Sequence, residues 1–286
     1  MQKLKAILIS IFCISLVLLS GCRSLPESKK NSVNPFDVMD SRGFIYFSVP
    51  KNCDPELYNR ILENSGFSNP KQISKNIDKI FFNFSQGKTG DFLEVQGVIQ
   101  GNIPSSIIEK NLEKNWARED LIYQNKKYKI FHNNGFELSV PSNKMVLFGR
   151  DNSSMLKNYH DCLYGLSEKE SDFDYNFTSF LMESDDEIRF TCCDISYIVA
   201  LFMPELGRIV KSDFIMASVK PDLYNKNFYI MDAKISFSKE YYMKAAKAIL
   251  HNIVYENGGT IRTEGTDLFV DGFAIKKELI YSLRLL

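Results

Sequence analysis

Apolar and polar positions alternate with a period of two through much of this chain, with short helical stretches between. Phe92 to Gln100 sets Leu93, Val95 and Ile99 on one face and Glu94, Gln96 and Gln100 on the other, which predicts a strand. Asn227 to Phe237 gathers Tyr229, Met231, Ala233, Ile235 and Phe237 on one face in the same way. Runs rich in β-branched and aromatic residues predict more strands. They are Phe44 to Val49, Lys79 to Phe84, Tyr128 to His132, Phe136 to Val140, Met145 to Gly149, Glu187 to Cys193, Asp213 to Val219, Thr260 to Glu264 and Leu268 to Ile275. Asn134-Gly135 and Ser142-Asn143 supply turns.

Helices fall between these runs. Asp54 as N-cap and Pro55 at the first helical position open one, with Leu57, Ile61 and Leu62 as its stripe and Gly66 to stop it. A short helix is expected near Ile73 to Ile77. After Pro104, Ser106 and Glu109 have capping-box spacing, and Ile108, Leu112 and Trp116 recur every fourth position. Ser153 or Ser154 caps a helix to about Leu163. Ile195 to Ile209 reads as an apolar helix. Ser238 opens the clearest one, with a Tyr242, Ala246, Ile249 and Ile253 stripe and Gly258 beyond its end. A last helix runs to Leu286.

Both halves thus read strand, helix, hairpin, helix, hairpin, helix. The expected class is α+β: a duplicated unit of antiparallel strands with helices packed on one face. The expected divisions are a signal segment 1–21, a tether 22–40, a first repeat 41–165, an acidic connector 166–186 and a second repeat 187–286.

The N-terminus changes the picture. Lys3 and Lys5 precede an apolar run from Ala6 to Leu19, broken only by Ser10 and Ser15. About 14 apolar residues fall short of the roughly 20 that span a bilayer core, so the run reads as an export signal. It ends in Leu19-Ser20-Gly21-Cys22, which resembles the lipobox of bacterial lipoproteins. The resemblance covers about the first 22 residues. It implies diacylation of the Cys22 thiol with palmitate-like chains, cleavage before Cys22 and acylation of the new α-amine. The lipid bilayer would then be the first partner, since each buried methylene contributes about 0.8 kcal/mol. Arg23, rather than an Asp, follows the cysteine. In lipoproteins that choice favours the outer membrane over the inner one.

Composition adds limits. The 286 residues carry 35 Lys+Arg and 35 Asp+Glu. Losing Lys3 and Lys5 with the signal leaves a slightly acidic body and no basic excess to attract nucleic acid. The 22 Phe and 14 Tyr exclude a disordered polar chain, and their strand and helical spacing suits core. Cys53, Cys162, Cys192 and Cys193 remain after Cys13 and Cys22 are accounted for. Export permits disulfides, and four cysteines allow three pairings; free buried thiols are the preferred reading. Adjacent Cys192 and Cys193 would point to opposite faces of a strand.

Candidate chemistry is sparse. Gly87-Lys88-Thr89 ends like a phosphate loop, but Phe82 stands where the leading Gly belongs, and the context is a hairpin. Asp172, Asp174, Asn176, Thr178 and Glu183 fit the offsets of a calcium loop, yet Phe177 occupies the turn position. His132, His160 and His251 show no metal or catalytic spacing, and the mature chain has no Gly-x-Ser-x-Gly elbow. The expectation is a membrane-tethered, non-catalytic envelope lipoprotein that offers a surface to an envelope protein, with no catalytic residues, cofactor or metal. The alternatives are a carrier of a small apolar or lipid ligand, and an enzyme whose site is assembled from distant sequence.

Overall fold

The computed structural model describes residues 33–39, 43–65, 67–86, 93–112, 116–166, 175–193 and 212–282. The lipobox with Cys22, Gly66, the Gly87-Lys88-Thr89 triplet, Asp172, Asp174 and the expected Ile195–Ile209 helix lie outside them. Among the described residues, twelve strands form one antiparallel sheet. They are β1 (Ile45–Pro50), β2 (Ile77–Gln86), β3 (Leu93–Gly101), β4 (Ala117–Tyr123), β5 (Lys126–Asn133), β6 (Phe136–Ser142), β7 (Met145–Gly149), β8 (Ile188–Cys192), β9 (Phe214–Pro221), β10 (Phe228–Ser236), β11 (Thr260–Glu264) and β12 (Asp267–Lys276). Their spatial order is β11-β12-β10-β9-β8-β1-β2-β3-β7-β6-β5-β4. The chain is α+β, as its patterning predicts.

The two halves join where β1 pairs with β8, from Ile45 opposite Cys192 to Ser48 opposite Arg189. From that seam one arm reads β1-β2-β3-β7-β6-β5-β4 and the other β8-β9-β10-β12-β11. In each arm three strands follow in sequence, and the last strand of the half docks on the third. The outer strands are guarded by charge. Arg118, Glu119 and Asp120 on β4 and Arg262 and Glu264 on β11 are exposed and oppose edge-to-edge pairing.

Paired residues share a face, so register defines two layers of core. On one face, Phe47 stacks on Phe82 at 4.8 Å and lies 5.5 Å from Phe190, which ties the seam together. Helices α2 (Pro55–Asn64), α3 (Pro70–Ser74) and α4 (Ser105–Asn111) cover this face over the first arm through Leu57, Tyr58, Ile61, Leu62, Ile73 and Ile108. Over the second arm, α7 (Glu240–Glu256) buries Met243, Ala246 and Val254 against Ile215, Ala217, Ile235 and Val270. The final helix, α8 (Lys277–Ser282), brings Ile280 and Tyr281 to the α2 side.

The other face also carries helices. Tyr46, Phe81, Val98, Ile130 and Leu147 point there. Helices α1 (Pro35–Val38), α5 (Asn152–Tyr164) and α6 (Tyr175–Glu183) cover them with Phe36, Val38, Met155, Leu156, Tyr159 and Leu181. One-sided helix packing therefore describes the second arm from β9 to β11 among the described residues, while β8, against which α6 packs, and the first arm are covered on both sides. Its strands alternate apolar residues on both faces, and each face needs a cover.

Other boundaries shift for local reasons. The segment expected to be tether is part of the body from α1 onward, because Phe36 and Val38 are fully buried. The acidic connector contains α6, whose Leu181 is buried. Helix α4 stops at Asn111, and Leu112 bridges to Phe67 in extended conformation. Its N-cap is Pro104 and makes no side-chain capping bond. The caps of α5 and α7 are Asp151 and Lys239 rather than the expected serines.

Candidate functional site

Asp54 is a densely bonded polar group among the described residues, accepting five hydrogen bonds. It ends the turn after β1 in extended conformation, and its Oδ1 accepts from the backbone N–H groups of Glu56 (2.9 Å) and Leu57 (3.2 Å). This is the N-cap that Asp-Pro predicts. Its Oδ2 accepts from Tyr229 Oη (2.7 Å), Lys277 Nζ (2.7 Å) and Tyr281 Oη (3.1 Å). The Lys277 ammonium also lies over the Tyr229 ring at 4.9 Å. Helix α2 is thereby latched to β10 and α8.

Electrostatics fix the roles in this cluster. Burial alone would raise the Asp54 pKa, but the bonds from Lys277, Tyr229 and Leu57 outweigh it and hold the carboxyl below the usual carboxylate range. Burial and the bond to Asp54 push the Tyr229 phenol well up. Burial raises Tyr281 to about 12 and the neighbouring Cys53 thiol to about 12. A carboxylate with five donors is poorly placed to take a proton, and a thiol held protonated is a poor nucleophile. The arrangement is suited to holding elements together.

His160 forms a second buried polar point. Its Nδ1 lies 2.7 Å from the Tyr128 hydroxyl, and the Tyr123 ring meets it edge-on at 5.1 Å. Burial lowers its pKa, so the neutral ring is favoured. The partner on its ring is thus a phenol from β5, not Cys162 two residues on, and burial pushes the Cys162 thiol up to about 11. His132 sits between Glu119 (3.2 Å) and Glu137 (3.3 Å), and His251 is exposed beside Tyr255. The three histidines are not brought together. Cys53 is buried and Cys162 half-buried, both as free thiols; Cys192 is buried and Cys193 exposed. Among the described residues no group of three or more His, Cys, Asp or Glu is arranged to hold a metal ion. Asn176, Thr178 and Glu183 of the calcium template lie in helix α6, which cannot wrap a cation as a loop would.

The surface is more informative than the interior. A shallow polar cleft of about 550 Å³ follows the outer side of α2, lined by Pro55, Glu56, Asn59, Arg60, Glu63 and Lys71. Nine large apolar or aromatic side chains are exposed among the described residues. Tyr241 lies at the end of the sheet where β1 begins. The other eight lie at the end where β1 finishes: Ile122 at the β4–β5 turn, Tyr164 at the end of α5 and Leu166 just beyond it, Met182 before β8, Leu223 and Tyr224 in the β9–β10 turn, Tyr255 late in α7, and Leu279 in α8. The sequence carries a signal for the most exposed pair. An apolar dipeptide stands in the middle of the turn Asp222 to Lys226, where polar residues are the norm. Among the described residues no helix is long and apolar enough to cross a membrane.

Comparison with known proteins accounts for the body. The family described as outer membrane-associated lipoprotein TP0453 matches residues 30–281. The chain belongs to that family. Its fold is similar to solved structures of TP0453. Crystal form I superposes with a TM-score of 0.67 at 17% identity, covering 88% of this chain and 97% of that one. Crystal form IV gives 0.64 at 15% identity, covering 90% and 98%. Crystal form III gives 0.63 at 14% identity, covering 89% and 98%. No curated protein matches the chain by sequence. The lipobox reading and the family agree on a lipid-anchored protein of the bacterial outer membrane. The body does have a family, although no motif within it discloses one.

Proposed function

We propose that this chain is a non-catalytic lipoprotein, moored through acylated Cys22, whose body offers its surface to another component of the outer membrane. One observation carries the reading. Two buried polar centres among the described residues, Asp54 and His160, are consumed by bonds that hold elements together. The aromatic stack of Phe47, Phe82 and Phe190 occupies the interior that an apolar ligand would need, which weighs against the carrier alternative. The polar cleft along α2 is open and mixed in charge, a surface fit for a protein partner rather than for a buried small molecule. The common strand order of the two arms supports the duplication of one α+β unit.

Metabolic labelling with a fatty acid tests the mooring. The native chain is expected to take up label and to partition into detergent, and Cys22→Ala to lose both. Label retained by Cys22→Ala would remove Cys22 as the acylated residue. Crosslinking in the native envelope tests the surface. Exposed sites along α2, such as Asn59 and Glu63, should capture a defined protein, and sites on β11 should not.

A further inference from the structure

We infer that the β9–β10 turn is a plug by which the body seats in its protein partner, and that the receiving pocket is apolar with an acidic rim. The inference rests on the partner surface proposed along α2 and deepens it by naming what that partner offers. Leu223 and Tyr224 are 92% and 98% exposed, the two least covered large hydrophobic side chains among the described residues. Neither belongs to a core cluster. The turn is continuous with the α2 surface. The Lys277 N–H at the start of α8 donates to the Asn227 carbonyl (2.9 Å). The Lys277 ammonium reaches the Asp54 carboxylate that caps α2 (2.7 Å). Four residues on, the Tyr281 ring lies under the Arg60 guanidinium at 4.6 Å, and Arg60 lines the cleft. Leu279, on the same short helix, is exposed. A partner lying along α2 therefore meets α8 and then the turn.

Two features say what the turn fits. The first is its fixed shape. The Asp222 N–H donates to the Phe228 carbonyl (3.0 Å) and the Phe228 N–H to the Asn225 carbonyl (3.0 Å). The Tyr224 N–H donates to Asp222 Oδ1 (2.8 Å) and the Asn227 N–H to Asn225 Oδ1 (3.2 Å). A turn already closed on itself gives up little conformational freedom when it binds, and a tyrosine offers a large rigid ring with a polar tip. Leu223 and Tyr224 stand in the middle, with Asp222, Asn225, Lys226 and Asn227 around them. That repeats, at small scale, the apolar centre and polar rim of a protein interface.

The second feature is charge. Lys220, Lys226 and Lys276 are exposed around the pair, with Lys276 opposite Phe228 on the neighbouring strand. Glu187 lies 3.8 Å from Lys220, and no carboxylate pairs with Lys226 or Lys276 among the described residues. Asp222 is the one carboxylate within the turn, and its Oδ1 is engaged by the Tyr224 N–H. Counter-charge for these ammonium groups is left for the partner to supply. The pocket that takes Leu223 and Tyr224 therefore carries Asp or Glu at its mouth.

The test uses the lipidated full-length chain in the native envelope. A photoreactive benzoylphenylalanine replaces Tyr224, Asn59 in the α2 cleft, or Tyr241 at the opposite end of the sheet, and each adduct is mapped to residues by mass spectrometry. The expected result is one protein joined at positions 224 and 59 and not at 241, with the adduct from 224 on an apolar segment that has Asp or Glu beside it. With the probe at 59, Leu223→Ser with Tyr224→Ser should lower the yield by about tenfold or more. Lys220→Glu with Lys226→Glu should do the same, whereas Tyr224→Phe should keep the yield. All four side chains are exposed, so these substitutions spare the core, and unchanged circular dichroism verifies it. No adduct at 224, an adduct there with phospholipid only, or a receiving segment without acidic residues overturns the inference. The two readings fail separately. Capture at 59 that ignores the serine substitutions leaves the α2 surface standing and removes the plug; capture at 224 without capture at 59 keeps the plug and removes the α2 surface.

Discussion

At the scale of single residues, Asp54 concentrates more structural consequence than any other polar group described. Replacing it with Ala removes a helix cap and leaves the largely buried Lys277 ammonium facing Tyr229 and Tyr281 with no counter-charge. Losing one partner of a buried pair costs about 3–5 kcal/mol, and the cap adds about 1 kcal/mol. A urea titration should therefore show Asp54→Ala among the most destabilising single changes in the body. Asp54→Asn keeps a cap acceptor and separates the charge from the shape. The sign of the pH effect follows from the depressed pKa. The native state favours the ionised carboxyl, so its stabilisation is complete above the unfolded value of about 3.9 and is lost as pH falls through the lower native value. Asp54→Asn should flatten that acid loss. His160 acts earlier. Its native pKa is also lowered, so the neutral ring stabilises the fold above about 6.5, and this contribution fades as pH falls below that value. Equal acid slopes for the native chain and Asp54→Asn would show that the latch carries no net charge preference.

Between residues and the whole sheet, element boundaries show which forces the sequence discloses. The start of α2 is legible because Asp54 and Pro55 act within one turn of the chain. The other half of the same site is not, since Tyr229 lies 175 positions away and Tyr281 lies 227 away. The period-four stripe of Ile108, Leu112 and Trp116 suggests more helix than forms. Leu112 instead makes an extended bridge to Phe67, and packing outweighs a weak local preference. Strand β4 is hidden for the opposite reason. As an edge strand it carries Arg118, Glu119 and Asp120, so its apolar residues are confined to the last three positions, Leu121 to Tyr123, and no alternation announces it. Helix α6 is masked by the acidic residues before it. At strand β3, Gly97 shows how tightly elements fit. It sits opposite Phe82 and Phe148, and a methyl group there would overlap the Phe148 ring. Gly97→Ala should destabilise by about 1–3 kcal/mol, as overpacking does. Adding Phe148→Leu should recover part of that loss if the overlap is the cause. Strict additivity in thermal melts of the two single variants and the double variant would place the cost elsewhere.

For the whole molecule, the question is whether two similar arms behave as one body. The sheet is continuous across β1 and β8, the Phe47–Phe82–Phe190 cluster crosses the seam, and the Asp54 latch ties α2 of the first arm to β10 and α8 of the second. Each of these contacts joins residues from both halves, so neither arm can open without exposing core that belongs to the other. This predicts a single cooperative transition. Trp116 makes the prediction easy to read. It is the only tryptophan and packs edge-on against Phe136 at 6.3 Å, so its fluorescence reports the first arm. Far-ultraviolet circular dichroism reports both. In urea the two signals should share one midpoint and one slope. Asp54→Ala should shift them together, although Trp116 lies in a different part of the sheet. Fluorescence that changes while half of the dichroism persists would mean that the arms unfold in turn, and that the seam is a contact between two domains rather than the middle of one.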